Sequence, residues 1–172
     1  LWVNIIMDTF AAMAMASLPP DPGVMADRPR PRDEFIITPA MARTIFVCGG
    51  LMVVALLGLL GWWSCGGAEL SVRQLTVFFS AFVFMQFWNM FNAKGFETRR
   101  CVFASWKGCR EFFLIRLAIG FGQFLIVRFG GEVFRTVPLS LREWAFVVGA
   151  SSFLALGGEA VRSLKRKLKV KG

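Results

Sequence analysis

The chain has 172 residues, of which 56% are hydrophobic, and a formal net charge of +9 at pH 7; its mean hydropathy is +0.58. Soluble domains of this length rarely carry so much apolar sequence, so the composition excludes an ordinary soluble enzyme and predicts an integral membrane protein. The chain contains no histidine and its four cysteines have no CxxC spacing, which argues against a zinc or haem site; no nucleic-acid partner is expected.

Five apolar segments are predicted to form a bundle of transmembrane helices, so the expected fold is all-α. Leu1–Leu18 is interrupted by Asn4 and Asp8 and is closed by two prolines, which end a helix. The next two segments are free of charge between Arg43 and Glu69 and between Arg73 and Lys94, close to the about 20 residues that a helix needs to cross a bilayer. The predicted spans are approximately residues 1–18, 43–63, 72–92, 110–128 and 140–161.

The last two spans carry weaker signals. Phe112–Val127 contains one charge, Arg116, which lies six residues or about 9 Å along a helix from Arg110, and its side chain is expected to snorkel towards the nearer surface. Trp144–Gly158 is uncharged but only fifteen residues long, so the fifth span is extended at both ends.

The basic residues predict the orientation of the chain. Pro19–Arg43, Ala93–Arg110 and Arg162–Gly172 contain 4, 5 and 6 Lys or Arg residues, which are 15 of the 20 in the chain. Because basic loops stay in the cytoplasm, these three segments are predicted to be cytoplasmic. The amino terminus is then outside and the carboxy terminus inside.

Asn4 and Asp8 are the candidate metal ligands, and no catalytic residue is predicted. A carboxylate inside an apolar helix is costly and is a functional candidate by default. The i to i+4 spacing places both residues on one helix face, and two oxygen donors at this separation suit a hard cation such as calcium. The alternative is that both are polar groups near a chain end, exposed or paired between helices.

Three stretches of the sequence are distinctive: LWVNIIMDTFAAMAMASLPPDPGVM (Leu1–Met25), FVFMQFWNMFNAK (Phe82–Lys94) and FGGEVFRTVPLSLREW (Phe129–Trp144). They resemble parts of the sixth to tenth membrane helices of P-type calcium ATPases. The first resembles the sixth helix and the following loop, the second the eighth helix, and the third the outer loop before the tenth helix. The resemblance covers nearly the whole chain and predicts one domain over residues 1–172.

The resemblance implies that Asn4 and Asp8 are part of a calcium site. Sarco/endoplasmic-reticulum-type pumps have a Thr and a Glu where this chain has Met7 and Gln86, whereas plasma-membrane-type pumps have the same substitutions. An amide carries no charge, so a second divalent site is poorly supported and one calcium site is expected. Gln86 is a possible minor ligand; a hydrogen bond between helices is the favoured interpretation of this residue.

The basic tail is predicted to anchor the topology and to attract anionic lipid. Its basic residues are Arg162, Lys165, Arg166, Lys167, Lys169 and Lys171. The tail ends about ten residues after the last predicted span, too short for the autoinhibitory tail of animal plasma-membrane pumps. This brevity favours a bacterial-style pump in the plasma membrane.

The resemblance also implies that most of the pump lies outside this sequence. The sequence has no Asp-Lys-Thr-Gly phosphorylation segment and no glycine-rich nucleotide loop, so ATP and magnesium would bind other domains. The expected partners are the lipid bilayer, the phosphorylation, nucleotide-binding and actuator domains, and the first five membrane helices. Three interpretations remain: an inactive fragment, favoured by a first residue that is not Met; one half of a split pump; or a small structural or regulatory membrane protein.

Overall fold

The structure is a computed structural model that describes residues 2–19, 35–65, 67, 69–96 and 109–170. All regular secondary structure in these residues is helical, as the sequence predicts. The helices are α1 (Trp2–Ala16), α2 (Pro39–Ser64), α3 (Val72–Lys94), α4 (Arg110–Phe129), the short α5 (Gly131–Phe134), α6 (Leu141–Ser151) and α7 (Phe153–Val170).

The starts of the long helices follow from local capping chemistry. Thr38 accepts a hydrogen bond from the Met41 amide at the start of α2, where Pro39 occupies the first turn. Ser71 and Ser140 form capping boxes with Gln74 and Glu143 at the starts of α3 and α6. In each box the serine and the residue three positions later satisfy amides that have no partner within the helix.

Four segments in the described part of the chain are long and apolar enough to cross a membrane: α2, α3, α4, and α6 together with α7 up to Val161. Large apolar side chains on α2 are turned outward, with Phe46 79% exposed and Val54 69% exposed. Such a surface is unfavourable in water and is suited to lipid contact. The prediction of an all-α membrane protein is confirmed.

The first predicted span, residues 1–18, is helical over Trp2–Ala16. Fifteen residues of α-helix extend about 22 Å, which is less than the about 30 Å of hydrocarbon in a bilayer. That α1 crosses the membrane stays a prediction.

Helix α3 lies at the centre of the bundle and packs against α2, α4, α6 and α7, whereas α1 packs mainly against α4. Half of the most apolar stretch of α3 is buried, compared with 11% in α2. The main apolar cluster joins α1, α3, α4 and α7 through Met7, Phe91, Phe112 and Ala155. Helix α3 is therefore the element that holds α2, α4, α6 and α7 in place.

Candidate functional site: an acidic helix face and its supporting bundle

Helix α1 carries the two predicted calcium ligands one turn apart. Its residues are apolar except for Asn4, Asp8 and Thr9. The backbone positions of Asn4 and Asp8 lie on the same side of the helix, as their spacing requires. The side chain of Asn4 lies outside the described part of the structure.

Asp8 borders the face through which α1 packs. The preceding residue, Met7, is buried in the main apolar cluster, and so is Ala14 two turns later. Asp8 itself is exposed. Among the described residues, no group of three or more His, Cys, Asp or Glu side chains comes close enough to hold a metal ion. Asp8 is thus available to a ligand or partner beyond the described bundle.

Gln86 is half-buried on α3. No hydrogen bond from this amide to another helix is found among the described residues, and a bond between helices stays a prediction for Gln86. Polar side chains further along α3 make such hydrogen bonds instead. Whether Gln86 is a minor calcium ligand stays a prediction.

Trp88 and Asn92 link α3 to the last span. The Trp88 indole Nε1 donates a hydrogen bond to the Val148 carbonyl at 3.2 Å, and the Asn92 amide Nδ2 donates to the Leu154 carbonyl at 2.8 Å. The two donors are four residues apart and therefore lie on one face of α3. They contact the last span on both sides of Ser152.

The last span, predicted as one helix over residues 140–161, is divided at Ser152 into α6 and α7. The Ser152 amide bonds the Gly149 carbonyl rather than the Val148 carbonyl, and the Ser152 hydroxyl also donates to Gly149 at 2.7 Å. Serine hydroxyls that bond back to the helix in this way bend it. The Val148 carbonyl, which lacks the Ser152 amide as a partner, accepts hydrogen bonds from the Trp88 indole and from the Ser151 hydroxyl, each at 3.2 Å. These bonds satisfy a part-buried backbone group.

Arg116 is buried rather than snorkelling, contrary to the sequence prediction. Only 2% of the residue is exposed, and its guanidinium carbon lies 3.4 Å from the ring centroid of Phe91 and 4.0 Å from that of Phe87. Neither terminal nitrogen has a hydrogen-bond partner among the described residues. Cation–π contacts with α3 therefore stabilise the buried positive charge of Arg116. Snorkelling would have placed this charge at the boundary between membrane and water.

Arg73 and Glu143 form an ion pair where α3 and α6 begin. Arg73 Nη1 donates to both carboxylate oxygens of Glu143 at 2.8 Å. The same carboxylate accepts hydrogen bonds from the amide and hydroxyl of Ser140 at 2.7 Å. One acidic side chain thus caps α6 and joins it to α3.

The basic tail is partly described. Helix α7 continues to Val170, so the backbone of the tail is helical beyond the predicted span. The structure does not describe the side chains of five of its basic residues, Arg162, Lys165, Arg166, Lys167 and Lys169. Lys171 lies wholly outside the described residues. Their anchoring and lipid-binding roles stay predictions.

Residues 1–164 match the protein family described as "Cation transporting ATPase, C-terminus". The chain is 33% identical over 165 residues to a putative plasma membrane-type calcium-transporting ATPase 11 of Arabidopsis thaliana, covering 91% of this chain and 16% of that protein. It is 33% identical over 167 residues to plasma membrane calcium-transporting ATPase 2 of Oreochromis mossambicus, covering 91% and 15%. It is 32% identical over 154 residues to plasma membrane calcium-transporting ATPase 3 of Homo sapiens, covering 84% and 13%. The chain thus spans about a sixth or less of the length of these relatives.

Proposed function

Because the chain belongs to the family of carboxy-terminal membrane regions of cation-transporting P-type ATPases, we propose that it is the membrane part of an ATP-driven calcium pump. The relatives that it resembles over most of its length are calcium-transporting ATPases of the plasma membrane type. ATP and magnesium would act in the phosphorylation, nucleotide-binding and actuator domains of the complete pump. The membrane part would bind and release the transported ion.

Asp8 carries this proposal. It is an exposed carboxylate on an apolar helix, next to the buried Met7, and burying such a group against lipid without a partner would cost a few kcal/mol. A bound cation offsets that cost. Asn4, one turn earlier, adds a second oxygen donor on the same side of the helix.

The ligand shell would be completed from outside this chain. Calcium takes 6–8 oxygen ligands, and one amide with one carboxylate supplies about two to three of them. Asp8 is exposed, and no other acidic cluster forms among the described residues. The remaining ligands would come from the earlier membrane helices of the pump, which would pack beside the exposed side of α1.

We propose that the pump binds one calcium ion rather than two. Met7 offers no oxygen, and Gln86 on α3 offers only a neutral amide. A second divalent ion placed near Asp8 would be repelled by the first without a further negative charge to offset the repulsion.

Helix α1 is attached to the bundle in a way that allows it to move. It packs mainly against α4, whereas α3 is held by α2, α4, α6 and α7. Within the described bundle, displacing α1 mainly disrupts its packing against α4, whereas displacing α3 disrupts its packing against four helices. We propose that α1 shifts during transport and that the rest of the bundle remains a fixed support for alternating access.

The proposal is tested by Asp8→Asn in the complete pump. The change keeps the volume of the side chain but removes its charge, so calcium-dependent phosphorylation from ATP should be lost at calcium concentrations that saturate the wild type. Glu132→Gln is the matched control because Glu132 is an exposed carboxylate in α5, outside the spans, and it should behave as wild type. Wild-type calcium affinity in the Asp8 variant would refute the assignment of Asp8 as a calcium ligand.

A further inference from the structure

A cavity of about 470 Å³ lies where three spans meet at one end of the bundle. Trp63 contributes to it from the end of α2. The first two turns of α3 and of α6 supply the other walls. The lining residues are Trp63, Ser71, Arg73, Gln74, Val77, Arg142, Glu143 and Phe146. Because α2 ends and α3 and α6 begin at this level, the cavity lies at the boundary between hydrocarbon and headgroups.

The lining changes from polar to apolar with depth. Arg73 and Arg142 lie in the first turns of α3 and α6, and Val77 and Phe146 follow four residues later in each helix. Four residues of helix correspond to about 6 Å. A ligand that fits this gradient has a charged end near water and an apolar end directed into the membrane.

The charged part of the cavity favours an anion. Glu143 is fully engaged, because its oxygens accept hydrogen bonds from Arg73 and from Ser140. Among the described residues, Arg142 forms no ion pair and it is exposed. The cavity therefore has a net charge of +1, and the amino-terminal ends of α3 and α6 add partial positive charge at the same level.

We propose that this cavity binds the headgroup of an anionic phospholipid. The phosphodiester carries one negative charge, which Arg142 neutralises with paired hydrogen bonds. An acyl chain of the lipid lies on Phe146, which is 55% exposed, and over the largely buried Val77. It continues along α2, whose large apolar side chains are exposed. A soluble anion would leave the apolar half of the cavity unfilled, so a lipid is the better occupant. Neither the family match nor the proposed calcium site assigns a ligand to this place.

The test measures lipid retention by the complete protein. The protein is purified in detergent, incubated with phosphatidylglycerol or phosphatidylcholine, and analysed by native mass spectrometry. We expect the wild type to retain phosphatidylglycerol in preference to phosphatidylcholine, and Arg142→Gln to reduce this retention about tenfold, the size of effect expected for one lost charged hydrogen-bonding group. Arg128→Gln removes the same charge from the last turn of α4, outside the cavity, and should retain as much lipid as the wild type.

A second variant distinguishes a lipid from a free anion. Phe146→Ala keeps both arginines and removes an apolar wall, so it should lower retention of phosphatidylglycerol. Glycerol 3-phosphate at millimolar concentration should not displace the lipid from the wild type. Equal retention by Arg142→Gln and Arg128→Gln, or no preference for the anionic lipid, would overturn the proposal. Displacement by glycerol 3-phosphate would assign the cavity to a soluble anion and would also overturn it.

Discussion

Gly158 lies directly against Asn92, and replacing it by alanine tests the contact between α3 and α7. A Cβ atom at position 158 would overlap the Asn92 Oδ1 atom and would lie 2.7 Å from its Cγ and 3.2 Å from its Nδ2. Asn92 is only 3% exposed and its amide is bonded to the Leu154 carbonyl. The side chain must therefore move and give up that hydrogen bond.

The neighbouring glycine supplies the control. Gly157→Ala places its Cβ where no atom lies within 4 Å, and both substitutions gain the same helix propensity, about 1 kcal/mol. Overpacking costs about 1–3 kcal/mol, and the lost hydrogen bond costs about 1 kcal/mol. The unfolding free energy of Gly158→Ala should therefore be about 2–4 kcal/mol lower than that of Gly157→Ala.

The assay is unfolding of the purified protein in mild detergent by added dodecyl sulfate, followed by tryptophan fluorescence. Combining Gly158→Ala with Asn92→Ala removes the overlapping atoms, so the alanine at 158 should cost less in that background than in the wild type. If the two glycine variants unfolded within about 0.5 kcal/mol of each other, a difference within the usual error of additivity, the close contact between α3 and α7 would be refuted.

Two further predictions concern charged side chains. Arg116→Met should be about 2 kcal/mol more stable than Arg116→Lys, because lysine keeps a charge that is costly to bury and loses the planar stacking on Phe87 and Phe91. Unfolding in dodecyl sulfate measures the stability of both variants. A lysine variant as stable as the methionine variant would contradict this explanation. Glu143→Ala should lower stability by about 1–2 kcal/mol, since it removes both a helix cap and an ion pair. Arg73→Gln, which removes only the exposed ion pair, should cost about 0–1 kcal/mol, and an equal loss in the two variants would show that the cap contributes little.

The sequence predicts the long central helices well because their signal is local. Charge-free stretches bounded by Arg43 and Glu69 and by Arg73 and Lys94 correspond to α2 and α3. Insertion into hydrocarbon depends on the length and composition of each segment, and both are properties of the sequence alone.

The position of Arg116 depends instead on tertiary contacts. Its spacing from Arg110 permits snorkelling, and burial is favoured only when Phe87 and Phe91 of another helix are beside it. The sequence does show two aromatic residues four positions apart on α3, but nothing in it indicates that they pack against Arg116 on α4. The break at Ser152 also depends on tertiary contacts, because backbone carbonyls on either side of it accept hydrogen bonds from Trp88 and Asn92, about sixty residues earlier in the chain.

The candidate site is predictable only in part, because a calcium site needs ligands from several helices. The apolar context of Asp8 and the spacing of Asn4 are visible in the sequence. The exposure of Asp8 and the packing of α1 mainly on α4 become visible only in the structure. These two features support α1 as a movable element whose remaining ligands come from elsewhere.

The most direct test of the calcium-pump proposal is equilibrium binding of radioactive calcium to the complete pump, with Asp8→Asn and Glu132→Gln measured beside the wild type. We expect one calcium ion per molecule in the wild type and in Glu132→Gln, and no saturable binding in Asp8→Asn at the same free calcium concentration. Two ions per molecule would contradict the single site. Unchanged binding in Asp8→Asn would contradict the assignment of Asp8 as a calcium ligand.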